Sequence, residues 1–276
     1  MKITYSSYRT YLDCPSLYLK ERDRVPPPVK PSMYFTLYGK LIESFFKKYT
    51  NDITKKGQIL SEDQIRDILD NQWEYLLGRN YVNWEDPWVK ESASQIFESV
   101  YIDVLKNIKG FGFWKDARSE VTLEILLKKS RDIITSRLDF IVTNPDNTVE
   151  ILDGKGTNKP DTNVDVEQLY FYALMYLLKY GKLPDKIGFL FYRFQMIKYI
   201  DFDLSQIIDF KNKLSYVKAA IKKDKIFAPK VKLSKQCKWC AYKFKCDEHN
   251  KARDFNQSKR KNKMDLGGSG LIEFGF

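Results

Sequence analysis

Residues 136–155 read SRLDFIVTNPDNTVEILDGK. Two apolar runs rich in β-formers flank Asn144-Pro145-Asp146-Asn147, residue types that favour a turn. This pattern predicts two strands, Ile133–Val142 and Thr148–Lys155, joined as a hairpin. Asp139 then stands on the first strand, and Asp153 and Lys155 on the second. Residues i and i+2 of a strand share a face, so Asp153 and Lys155 project together, and hairpin pairing can bring Asp139 beside them. Two carboxylates and an ammonium on one sheet face suit hydrolytic metal chemistry. Carboxylate oxygens bind hard cations such as Mg2+ or Mn2+. Such a cation acidifies a bound water and offsets charge on a phosphodiester, while Lys155 orients that water, helps deprotonate it or neutralises the developing charge. Taken singly, Asp139 reads as a surface carboxylate and Asp153-Gly154-Lys155 as a charged strand end. Both carboxylates, however, lie in apolar strands, where burial without a partner is costly.

On either side of the hairpin the period changes. Glu120–Lys128 reads as a third strand, and Ile187–Phe194 with Ile197–Phe202 as a later pair. Helical spacing runs over Ser6–Lys20, Phe35–Tyr49, much of 61–108, Val166–Lys179 and Ser205–Lys222, with Trp84–Trp88 as a connection. The result is an α/β core with a helical insertion, 51–118, ahead of the sheet.

Four cysteines are present: Cys14 alone, and Cys237, Cys240 and Cys246 as C-x2-C-x5-C. A secreted disulfide framework does not suit this chain, whose N-terminus has no apolar signal core. Four thiols match a tetrahedral metal centre or a cubane iron–sulfur cluster, and spacing alone leaves zinc and iron–sulfur both open. Such a centre would tie the two ends of the fold together. No run approaches 18 apolar residues, so no membrane span is expected, and a reducing, cytoplasmic setting fits.

The 47 basic against 36 acidic residues give a formal +11, which favours a polyanionic partner such as nucleic acid. His249 is the only histidine. Any His-based triad would have to use it, and sites needing several histidines are excluded. Catalysis should therefore run on carboxylates and lysine.

These motifs together resemble the RecB-type nucleases of the PD-(D/E)xK superfamily, in the branch that carries an iron–sulfur cluster and includes the CRISPR-adaptation and AddB-like repair nucleases. Ser7, Tyr11, Cys14, Pro15 and Tyr18 match the early S-x-x-x-Y-x-x-C-P-x-x-Y pattern. Ser136-Arg137-Leu138-Asp139 stands for G-R-x-D, Asp153-Gly154-Lys155 for D-x-K, Gln168 and Tyr172 for Q-x-x-x-Y, and Cys237, Cys240 and Cys246 for the closing trio. Where the family's first helix carries G-x-x-x-H, this chain has Gly39 followed by Glu43, a residue type that also ligates metal in the wider superfamily.

The resemblance implies a restriction-endonuclease-like core, a mixed central sheet flanked by helices, and a four-iron four-sulfur cluster on the four cysteines, with zinc as the alternative. It implies Mg2+ or Mn2+ on Glu43, Asp139 and Asp153, activation by Lys155, and Gln168 and Tyr172 facing the site. The expected activity is a metal-dependent DNA exonuclease in recombination, repair or phage DNA metabolism. A nuclease trimming CRISPR spacer precursors and a catalytically silent iron–sulfur DNA-binding subunit are the alternatives. The expected organisation is one nuclease domain, 1–255, then a flexible basic tail, 256–276, whose Leu271–Phe276 tip docks on a partner protein; an oligomer stays open. Arg193 is a candidate phosphate contact. Trp73, Trp84, Trp88 and Trp114 are candidate stacking surfaces, with packing the ordinary role for most.

Overall fold

The structure, a computed structural model, describes residues 1–251 apart from 29–31, 129, 158, 161–163, 225–230, 235–236 and 238–239. The expected basic tail and its Leu271–Phe276 tip lie outside the described residues.

The strands are β1 (Lys2–Ile3), β2 (Ala117–Leu127), β3 (Asp132–Thr143), β4 (Val149–Lys155), β5 (Lys186–Phe191) and β6 (Met196–Ile200). They form one mixed sheet in the order β1-β3-β4-β5-β6, with β2 paired to β3. The β3–β4 hairpin is antiparallel, β4–β5 parallel and β5–β6 antiparallel. The two-residue β1, which joins β3 in parallel at Ile133 and Ile134, is too short to leave a period in the sequence.

The helices are α1 (Tyr5–Asp13), α2 (Pro15–Arg22), α3 (Leu37–Lys48), α4 (Glu62–Arg79), α5 (Ala93–Gly110), α6 (Val166–Tyr180) and α7 (Leu204–Asp224). The single helix expected over Ser6–Lys20 is two. Pro15 has no N–H to continue α1 and disfavours helical geometry in the residue before it, so Cys14 is extended and opens α2. Ser61 with Gln64 and Ser92 with Gln95 form capping boxes that start α4 and α5, each cap contributing about 1 kcal/mol.

Two compact units are present. The first comprises Met1–Tyr8 and Ser32–Lys218; the second holds the described parts of Arg9–Pro31 and Ala219–Phe276. In the first, Leu41, Phe45, Val100, Trp114, Phe140 and Leu152 belong to one apolar core between α3, α5 and one sheet face. Helix α6 buries Leu169, Phe171, Ala173 and Met175 and contacts β2, β3, β4 and β5, so it covers the other face. In the second unit the Tyr11 ring meets Tyr18 edge-on at 5.6 Å, the Tyr11 hydroxyl donates to Asp224 Oδ2 at 2.7 Å, and Lys232 Nζ donates to the Leu12 carbonyl at 2.8 Å. Stretches early and late in the chain thus build one unit.

Candidate active site and cysteine cavity

The hairpin opens at Asp139. The β3–β4 ladder ends at the Phe140–Leu152 pair, while β4 stays paired with β5 through Lys155. Beyond that point a side chain replaces the ladder, Asp139 Oδ2 accepting the Gly154 N–H at 2.9 Å. A carboxylate bonded to a backbone amide is a strong, orienting contact. Opposite Asp139 on β2, Glu120 adopts a left-handed backbone, φ 56°, and its ladder pair is missing. Glu120 Oε2 lies 3.0 Å from Arg137 and 3.7 Å from Lys47.

Around Asp153 the expected residues close a ring. Lys155 Nζ lies 2.5 Å from Asp153 Oδ2 and donates to Gln168 Oε1 at 3.2 Å. Gln168 Nε2 donates to the Tyr172 hydroxyl at 2.9 Å, leaving that hydroxyl to donate to Asp153. Gln168 and Tyr172 are four apart on α6 and so share one face. Tyr172 is therefore both a buried residue and a polar contact of the site.

Glu43 arrives from α3. It lines, with Gly154 and Lys155, an open cavity of about 740 Å3. Burial, reinforced by the Asp153 and Glu120 carboxylates, pushes Glu43 up to about 7. Burial likewise raises Asp139 well above the usual carboxylate range, with Asp153 and Glu43 adding to it. Asp153 is also raised by burial, against the pull of Lys155. Three acids of one sign thus share a poorly solvated place, and an added cation would relieve all three.

Among the described residues, no three His, Cys, Asp or Glu side chains converge closely enough to hold a metal ion as they stand. Asp139 is turned to the Gly154 amide and Asp153 to Lys155. The donor chemistry nevertheless fits a hard divalent cation: the oxygens are carboxylate, they repel one another, and the buried Asp153 Oδ2 has the Lys155 ion pair but no well-formed hydrogen bond.

Residues that sequence reading passed over stand behind the site. The Tyr38 hydroxyl donates to Asp103 Oδ2 at 2.7 Å, and Asn107 Nδ2 donates to the Tyr192 carbonyl at 2.7 Å. Arg193 lies on a 3-10 turn after β5, not on a strand. Its guanidinium stands 3.6 Å over the Tyr38 ring and its Nε donates to the Gly156 carbonyl at 3.2 Å. The signal available was glycine. A Cβ on Gly154 would meet the Tyr192 hydroxyl at 2.2 Å, and one on Gly156 the Tyr38 ring at 2.7 Å. Both glycines flanking Lys155 are sites of close approach by a tyrosine.

The same cavity is lined by Phe35 and Trp88, which are 53% and 56% exposed, and by Lys40 and Lys90. The Tyr34 hydroxyl accepts the N–H groups of Lys90 and Glu91, each at 2.8 Å, and so holds the α4–α5 connection beside α3. Of the other tryptophans, Trp114 is buried core and Trp73 packs against that core. Trp84 meets Tyr34 edge-on.

In the second unit Cys14, Cys237, Cys240 and Cys246 line one small cavity, joined by His249. All four thiols are free and half-buried. Burial pushes the Cys240 thiol up, and Cys237, Cys14 and Cys246 add to the rise. Four soft donors around one cavity suit an iron–sulfur cluster or zinc. No helix among the described residues is long and apolar enough to cross a membrane.

A candidate exonuclease from Eubacterium rectale, known from its crystal structure, superposes with a TM-score of 0.52 at 13% identity, over 86% of this chain and 87% of its own. At that identity the likeness is one of fold. The crystal structure of SSO0001, also 13% identical and matched over 76% of this chain and 95% of its own, gives a TM-score of 0.33, too loose to support an argument. No curated protein matches the chain. The sequence matches the PD-(D/E)XK nuclease superfamily over residues 2–247, a span that takes in the hairpin, Glu43, the α6 pair and all four cysteines, and the chain belongs to that superfamily.

Proposed function

We propose that this protein is a RecB-type, divalent-metal-dependent deoxyribonuclease that degrades DNA from ends or in single strands. The observation that carries the reading is that Glu43, Gly154 and Lys155 line one cavity, with Asp139 held on the Gly154 amide and Lys155 joined to Asp153 and Gln168. Glu43, Asp139 and Asp153 would hold Mg2+ or Mn2+. When bound there, the cation supplies an acidified water and neutralises charge on the scissile phosphodiester. Gln168 fixes Lys155 Nζ, which then faces the phosphate and stabilises the charge that develops on it. Tyr172 and Lys155 orient Asp153. In-line attack would leave a 5′-phosphate, as the family resemblance implies.

The cleft supports a single-stranded substrate. Its volume of about 740 Å3 has room for a few nucleotides of one strand. Phe35 and Trp88 offer faces for base stacking, and Lys40, Lys90 and Arg193 offer positive charge for phosphates. In the cysteine cavity we place a four-iron four-sulfur cluster of structural role, tying the ends of a nuclease domain that spans 1–255. Recombination, repair or phage DNA metabolism is the expected setting. Co-purification with an integrase would point instead to trimming of spacer precursors.

The test is cleavage of end-labelled single- and double-stranded DNA with Mg2+ or Mn2+ by anaerobically purified protein, beside Asp153→Ala and Lys155→Ala. The expected result is metal-dependent shortening of the single strand, reduced on the order of a hundredfold or more in both variants. DNA binding without cleavage in either metal would overturn the enzyme reading and leave a silent DNA-binding subunit.

A further inference from the structure

Tyr192 closes β5 and is fully buried. Its ring stacks on Phe46 with centroids 5.6 Å apart and planes 4° from parallel. Its carbonyl accepts from Asn107 Nδ2 and, at 3.0 Å, from Gln195 Nε2. Ring and backbone are therefore held in place, yet the hydroxyl has no hydrogen-bond partner among the described residues. Phenylalanine would fill the same space without leaving a buried donor unsatisfied, which costs free energy.

The hydroxyl has a definite address. It lies 2.2 Å from where a Cβ of Gly154 would be, against the backbone between Asp153 and Lys155. Gly154 in turn lines the cleft beside Glu43. Glu43 lies three residues before Phe46 on α3, one turn from the ring on which Tyr192 stacks, and its charge, ahead of those of Asp139 and Asp153, acts to raise the pKa of the phenol. Glu43 is complementary to it. Burial and the neighbouring carboxylates raise the proton affinity of that carboxyl. A buried donor without an acceptor thus stands near a half-buried carboxylate.

We propose that Tyr192 is a positioning residue: its hydroxyl donates to one oxygen of Glu43 and turns the other toward a divalent cation shared with Asp139 and Asp153. The proposal rests on the nuclease reading and adds a residue that the superfamily motifs do not include. Carboxylate ligands are held by such outer hydrogen bonds, and losing one typically costs about 10- to 100-fold in metal affinity. Glu43 stands on α3 and meets β4 only at the cleft. A fixed donor at the end of β5 would give it one orientation without drawing on the strand that carries Asp153 and Lys155.

The experiment is Mn2+ titration by calorimetry, without DNA, on the whole chain as wild type, Tyr192→Phe, Glu43→Gln and the double variant. Tyr192→Phe should weaken Mn2+ binding about 10- to 100-fold while the metal-free protein melts at the same temperature or higher. In the Glu43→Gln background the same change should do little more, because its effect passes through Glu43. Wild-type affinity in Tyr192→Phe, an undiminished loss in the double variant, or a markedly lower melting temperature of the metal-free protein would each overturn the proposal. Failure of wild type to bind Mn2+ or cleave DNA would remove the nuclease reading itself, an outcome distinct from those three.

Discussion

Glu43 is a residue whose charge depends on what occupies the site. Burial and two neighbouring carboxylates lift it from the ordinary 4.5 to about 7. The folded protein therefore holds this proton more tightly than the unfolded chain does. Its contribution to stability is full below the ordinary value and is lost as pH rises through about 7. For the metal-free protein this predicts a melting temperature that falls across that window, by on the order of 3 kcal/mol of stability from Glu43 alone. Asp139 and Asp153 are raised as well and act with the same sign. Thermal denaturation against pH should be visibly flatter for Glu43→Gln, and added Mn2+ should restore stability at neutral pH and above. A wild-type protein that instead gains stability from pH 4.5 to 7 without metal would contradict this account of the burial.

Among the elements, β4 and the turn after it are the most constrained. Asp153 and Lys155 face α6, while Gly154 and Gly156 leave room for two tyrosines, one from the end of β5 and one from α3. Gly156→Ala should press on the Tyr38 ring, on which the Arg193 guanidinium lies, and through it on the Tyr38–Asp103 bond to α5. Overpacking of this kind costs about 1–3 kcal/mol, so the variant should melt earlier. It should also bind single-stranded DNA more weakly, since Arg193 would be displaced from the cleft; unchanged melting and binding would mean that the ring gives way freely. Glu120 shows the same economy on β2. One left-handed residue opposite Asp139 interrupts the ladder without shifting the register, and its side chain is held by Arg137 and Lys47. Departures from regular backbone collect beside candidate sites.

Across the molecule, the cysteine cavity gathers residues from both ends of the described chain. Cys14 opens α2, and Cys237, Cys240 and Cys246 come from the segment after α7. If they hold an iron–sulfur cluster, anaerobically purified protein is brown, and Cys14→Ser removes both the visible absorbance and a large part of the thermal stability. Colourless protein carrying stoichiometric zinc would replace the cluster with a tetrahedral zinc site.

The strands of the hairpin, the α6 helix and the α4–α5 insertion were legible in the chain, because periods of two and 3.6 and the turn chemistry of Asn144–Asn147 are local properties. Asp153 and Lys155 as one pair, with Asp139 beside them, could be proposed from strand spacing and hairpin pairing, whereas Gln168 and Tyr172 entered only through the family resemblance, since Tyr172 by itself reads as core packing. The break at Cys14 was also written locally, in Pro15, although the spacing of the tyrosines concealed it. Folding alone revealed the raised proton affinity of Glu43, the unpartnered hydroxyl of Tyr192 beneath Gly154, the Tyr38–Arg193 stack, and the place of Trp88 on the cleft. Each of these is a meeting of residues from distant segments. Burial and contact between such segments follow from packing the sheet against its helices, and they leave no periodic trace in the chain.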